Sequence, residues 1–150
     1  MVLNFTDIKD PDFEAKICSF LNEGGFDARI SNDLVEVDSA SVSPNGEKIN
    51  LRLNLIDFDG YRILEITSKL SPAPIDFEHV SLAVLRGNMA SHVAKFKALE
   101  KSGVTPKAYN LIASSHLYAD QLSKEELHSM VYLFTKEVSA IKSELLEIMS

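Results

Sequence analysis

The chain has 150 residues, 45% of them hydrophobic and 25% charged, with a formal net charge of −7 at pH 7. That length and mix fit one globular domain, 1–150, with a real core and exclude a disordered chain; the acidic balance argues against nucleic acid as the main partner. The single cysteine, Cys18, permits no internal disulfide, Met1 to Phe5 lacks the features of a signal peptide, and no run approaches the ~20 apolar residues of a membrane span, so a cytoplasmic location off the membrane is expected.

Asp10-Pro11 puts a capping side chain before a proline at the first helical position, and Phe13, Ile17, Phe20 and Leu21 form an apolar stripe that ends at Gly24-Gly25. This is the first predicted helix. Asp7, Asp10, Asp12 and Glu14 lack the glycine and terminal glutamate of a calcium loop and read as carboxylates favouring the helix dipole.

Three strands are predicted next, near 34–43, 47–58 and 61–70, in an antiparallel meander. Asp59-Gly60 is a two-residue hairpin signal that pairs Leu55 with Leu64, Leu53 with Ile66, Leu51 with Ser68 and Asp57 with Arg62. Taking Pro44-Asn45-Gly46 as a three-residue loop sets Val37 opposite Leu53 and Val35 opposite Leu55, which keeps the apolar side chains on one face. The other face carries Asn50, Arg52, Asn54, Glu65, Thr67 and Lys69 and is expected to meet solvent.

Ser71-Pro72-Ala73-Pro74 is a connector, after which Asp76 can cap a helix running to about Asn88. Phe77, Val80 and Val84 form one stripe for the sheet; Leu82, Leu85 and Met89 form another about 120° away that needs a second surface, most simply a second protomer, with the long C-terminal helix as the alternative. From Ser91 the apolar period changes to two, giving a fourth strand, and Tyr109, Leu111, Ala113, Ser115 and Leu117 mark a fifth.

Ser123 and Glu126 have capping-box spacing, Leu122 and Leu127 can staple the entry, and the long helix is expected to start at Lys124. Its stripe runs from Leu127 through Met130, Val131, Phe134, Val138, Ile141, Leu145 and Ile148 to Met149. About 26 helical residues span roughly 39 Å, more than a typical strand of ~17–20 Å. The overhanging stripe must be covered by the first helix or by another protomer. The expected class is thus α+β: helix, three-stranded antiparallel meander, helix, two strands, long C-terminal helix.

Three segments carry a family resemblance: Leu21 to Phe26 (LNEGGF), Arg86 to Phe96 (RGNMASHVAKF) and Leu117 to Val131 (LYADQLSKEELHSMV). Through them nearly the whole chain resembles the YbjN-like family of proposed bacterial sensory transduction regulators, whose fold is shared with the small acidic chaperones of type III secretion. The resemblance implies a type III secretion chaperone-like fold, a homodimer to which the second helix contributes, and a sheet surface that receives an extended segment of another protein. It implies no catalytic residues.

The residues themselves show no catalytic constellation. His79, His92, His116 and His128 fall on four predicted elements without ligand spacing, so neither a metal nor another cofactor is expected. Cys18 reads as a core or boundary residue. Asp59 belongs to the turn and Asp57 faces Arg62, leaving Glu65 without a carboxylate partner for acid–base work. Ser115 and His116 are strand neighbours and point to opposite faces. Gly24-Gly25 and Gly87-Asn88 end helices and are not phosphate loops.

Two surfaces remain. Lys95, Lys97, Lys101 and Lys107 form a basic patch, read first as solvation of a strand edge, with an anion or acidic peptide as the alternative. Ile56, Phe58, Tyr61 and Ile63 lie on the solvent side of the Asp-Gly hairpin, as a docking patch for an extended peptide or a tip folded under another element. The expected function is a non-catalytic protein–protein interaction module, chaperone-like or regulatory, binding a partner polypeptide as a homodimer through Leu82, Leu85 and Met89. The alternative is a small-ligand sensory domain with a pocket between sheet and long helix.

Overall fold

In the computed structural model, residues 2–3, 13–32, 34–38, 49–71, 73–120 and 122–150 are described. The expected first-helix start at Asp10-Pro11, the acids Asp7, Asp10 and Asp12, and the Pro44-Asn45-Gly46 turn lie outside them.

Asp59 and Gly60 both adopt left-handed backbone, φ 52° and 82°, as a type I′ hairpin turn requires. Strands β4 (Asn50–Phe58) and β5 (Tyr61–Lys69) leave this turn in the register read from the sequence: Leu53 opposite Ile66, Leu55 opposite Leu64, Asp57 opposite Arg62. Strand β3 (Leu34–Asp38) pairs with β4, but Val35 faces Leu53 and Val37 faces Leu51. The expected register is corrected by two residues. Asp38 pairs with Asn50; a slip of two preserves the face, and Val35 and Val37 remain buried.

A further strand was not expected. β2 (Asp27–Ser31) pairs with β3 and reaches it through Asn32, whose φ of 50° makes the turn, so the meander has four strands. β6 (Lys95–Glu100) and β7 (Tyr109–Tyr118) complete a six-stranded antiparallel sheet of order β2-β3-β4-β5-β7-β6. β6 begins later than Ser91 because the N–H groups of residues 92–94 are engaged by a side chain of the last helix. A small ribbon pairs β1 (Val2–Leu3) with β8 (Leu122–Ser123).

Three helices cover one face: α1 (Phe13–Glu23), α2 (Phe77–Ala90) and α3 (Lys124–Met149). α1 closes with Phe26 N–H donating to the Leu21 carbonyl and Gly25 N–H to the Asn22 carbonyl, both at 3.1 Å, with Gly25 at φ 90°; this is a Schellman cap. α3 starts where expected, with Ser123 Oγ accepting the Glu126 N–H at 3.0 Å. Leu127, Val131, Phe134, Val138 and Leu145 of its stripe have no exposed surface, while Met130 and Ile148 are half-buried. α1 and α2 flank it and both contribute cover, α2 the larger share.

α2 is rotated from the expected orientation. Val80, Ala83 and Gly87 are its buried residues, and Phe77, expected on that face, is 64% exposed. The cause is the close approach at Gly87, where an added Cβ would meet Phe96 Cγ at 2.6 Å. Turning the helix toward the Ala83–Gly87 line lifts Phe77 outward, where its ring meets Tyr109 edge-on at 5.7 Å. Asp76 stands at the N-cap but caps no backbone N–H; its carboxylate instead contacts His79 Nδ1 at 2.7 Å.

Candidate functional site

Strand alternation leaves the second face of the sheet clear of the three helices, and the register assembles its side chains into rows. Ile56, Ile63 and Tyr118 form one row, with Phe58 and Tyr61 paired beyond it at the hairpin tip. Phe58, Tyr61 and Tyr118 are 68%, 60% and 71% exposed, while Ile56 and Ile63 are half-buried. The Tyr61 and Tyr118 rings meet edge-on at 6.4 Å, a favourable aromatic geometry. The four expected docking residues are therefore brought together on an open sheet face and are not folded under a helix. Tyr118 joins them through the β5–β7 register, a pairing between strands distant in sequence that no local turn signals.

Next along this face, His116 Nε2 meets Glu65 Oε2 at 2.9 Å. Beyond that pair lie Arg52, Thr67, Ser114 and Lys95, then Lys69, Ile112 and Lys97. On the same face, toward the β2–β3 edge, Glu36 contacts Arg29 at 3.4 Å and Arg52 at 3.9 Å.

On α2, Leu82, Leu85 and Met89 are each more than half exposed and point away from the buried Val80–Ala83–Gly87 side. The structure thus places the expected dimer residues on an apolar helix face that its own chain leaves open.

The three segments that carry the resemblance lock helices to one another and to the sheet. In the first, Gly24 receives the His128 ring of α3, 2.7 Å from an added Cβ, and His128 Nε2 reaches the Phe20 carbonyl; Lys124 pairs with Glu23 at 2.5 Å. In the second, Gly87 seats Phe96, and Arg86 pairs with Glu144 of α3 at 2.7 Å. Glu137 of α3 accepts the N–H groups of His92, Val93 and Ala94 at 2.6–2.8 Å. Burial would raise the Glu137 carboxyl, but these donors and the neighbouring His92 outweigh it and hold the group below its ordinary value. The side chains of these segments are largely taken up by such contacts, with Met89, Lys95 and Tyr118 left exposed.

The remaining candidates keep structural partners. Cys18 Sγ donates to the Ala28 carbonyl at 3.1 Å. Asp57 Oδ1 accepts the Gly60 N–H at 3.2 Å. Ser115 points inward to Met130 Sδ at 3.8 Å while His116 points outward. Among the described residues no cluster of three His, Cys, Asp or Glu forms that could hold a metal ion, and no helix is long and apolar enough to cross a membrane. The space between sheet and α3, expected as the alternative ligand pocket, is filled by Leu53, Leu64, Ile66, Leu127, Val131 and Phe134, none with exposed surface.

A six-stranded antiparallel sheet backed on one face by three helices, with apolar groups on the open face, defines an α+β fold. No family model and no curated protein matches the chain. Among solved structures it is similar to YbjN of E. coli, a proposed transcription regulator, with TM-score 0.61 over 94% of each chain at 11% identity. At that identity the likeness shows the fold: this chain has a YbjN-like α+β architecture.

Proposed function

We propose that the chain is a non-catalytic protein–protein interaction module, regulatory or chaperone-like, that works in the cytoplasm as a homodimer and holds a partner polypeptide. The reading is carried by the contiguous patch of Ile56, Phe58, Tyr61, Ile63 and Tyr118 on an open sheet face. Exposed aromatics beside half-buried aliphatics lose much apolar area to a partner and little rotamer entropy, which suits an anchor for an extended segment. Leu82, Leu85 and Met89 supply the dimer face, since burying them covers the exposed apolar stripe of α2 that lies away from Phe77. A small-ligand sensor, the alternative, has the filled sheet–helix interior against it and is left with grooves at the margins.

Phe58→Asp and Ile63→Asp each weaken partner capture while the far-ultraviolet spectrum and melting temperature stay near those of the parent. Undiminished capture by both variants contradicts the docking patch.

A further inference from the structure

The open face is graded in charge along β5 and β7. Its hairpin end is aromatic. Its other end gathers Lys69 on β5, Lys95 and Lys97 on β6 and Arg52 on β4, aligned across the strands through Thr67, Ser114 and Ile112. In a chain of net charge −7 this is a local reversal of sign. A groove of about 450 Å³ opens there, with Arg52, Lys69, Leu99 and Ile112 in its walls and no acidic residue in its lining. Among the described residues Lys69, Lys95 and Lys97 have no ion-pair partner, and Arg52 has only its long contact to Glu36 at 3.9 Å. Protecting an edge strand from aggregation accounts for lysines on β6. It does not account for Lys69 and Arg52 on interior strands in the same rows, nor for the exposed Leu99 among them.

We infer that the occupant of this face is a bipartite extended polypeptide, with apolar side chains over Phe58, Tyr61 and Tyr118 and acidic side chains over Lys69, Lys95 and Lys97. This rests on the reading of the face as a partner-binding surface and names the chemistry of that partner. From Tyr61 to Lys69 is eight residue steps, about 27 Å at ~3.4 Å per residue, so an extended segment of eight to ten residues spans both ends. Between them Glu65 Oε2 is engaged by His116 Nε2 at 2.9 Å. Complementary charge at one end and apolar anchors at the other fix the direction in which the segment lies, which anchors alone do not.

Three labelled decapeptides test this by fluorescence anisotropy at low salt: one with two leucines at one end and three glutamates at the other, one with the glutamates replaced by glutamines, and one with the leucines replaced by serines. The parent protein is expected to bind the leucine–glutamate peptide about tenfold more tightly than the glutamine version, a preference lost in the Lys69→Glu, Lys97→Glu double variant and weakened by salt. Equal affinity for glutamate and glutamine peptides, with the serine peptide still rejected, overturns the acidic end and leaves the docking patch standing. Failure to distinguish leucine from serine, or no binding of any peptide, overturns both. Preferential binding of a single-stranded oligonucleotide through the same lysines also overturns the inference.

Discussion

The Asn88 carboxamide makes both backbone hydrogen bonds that a neighbouring strand would offer Phe96: its oxygen accepts the Phe96 N–H at 2.7 Å and its Nδ2 donates to the Phe96 carbonyl at 3.0 Å. Asn22 does the same for Ala28, at 2.8 and 3.1 Å. Phe96 and Ala28 lie on β6 and β2, the two edges of the six-stranded sheet. Each edge is thus plugged by an asparagine from the helix that precedes it, which protects the sheet from unplanned strand pairing.

Replacing Asn88 with alanine removes two hydrogen bonds from a half-buried site and is expected to cost about 1–3 kcal/mol, read as a lower urea midpoint. Light scattering of the Asn22→Ala, Asn88→Ala double variant rises with concentration, because both edges then offer unpaired backbone. Unchanged scattering contradicts the edge-plug role.

Gly87→Ala sets two effects against each other. Alanine gains up to about 1 kcal/mol over glycine in a helix interior, but its Cβ would sit 2.6 Å from Phe96 Cγ. Phe96 is buried beneath the helix and has no room to retreat, so overpacking of about 1–3 kcal/mol wins. The variant melts at lower temperature than the parent; a higher melting temperature contradicts the packing.

Glu137 gives the fold an acid-sensitive joint. Because its folded-state pKa is depressed, its stabilisation is complete above the unfolded glutamate value and disappears as pH falls through the folded one. Glu137→Gln is therefore less stable than the parent near neutral pH, and the difference shrinks at acid pH. Urea midpoints measured across that range check the sign. A difference independent of pH assigns Glu137 a packing role only.

Leu82→Glu and Leu85→Glu place charge on an exposed helix face, where the folded protomer changes by no more than about 0.5 kcal/mol. Sedimentation velocity is expected to show monomers. A persistent dimer moves the interface off α2.

Legibility in the sequence followed the range of the interactions. The β4–β5 register and the start of α3 were readable because Asp59-Gly60 and Ser123 set them within a few residues. The β3–β4 register was not, since a slip of two buries the same face, so the alternation of Val35 and Val37 fits either register. β2 went unread although Ala28 and Ile30 alternate with Asp27, Arg29 and Ser31; two apolar residues in an edge strand are a faint signal. The orientation of α2 depended on Gly87 meeting Phe96, a contact between a helix and a later strand. Four residues of the docking patch were legible from one hairpin, whereas Tyr118 required the pairing of β5 with β7, and the charge gradient required all of β4 to β7.

Native mass spectrometry of the protein purified gently from its source cells, compared with the Phe58→Asp variant prepared alike, tests the central claim most directly. The account predicts a dimer carrying a substoichiometric polypeptide in the parent, and the same dimer stripped of that polypeptide in the variant. A bare monomer from the parent, or a polypeptide retained undiminished by the variant, contradicts it.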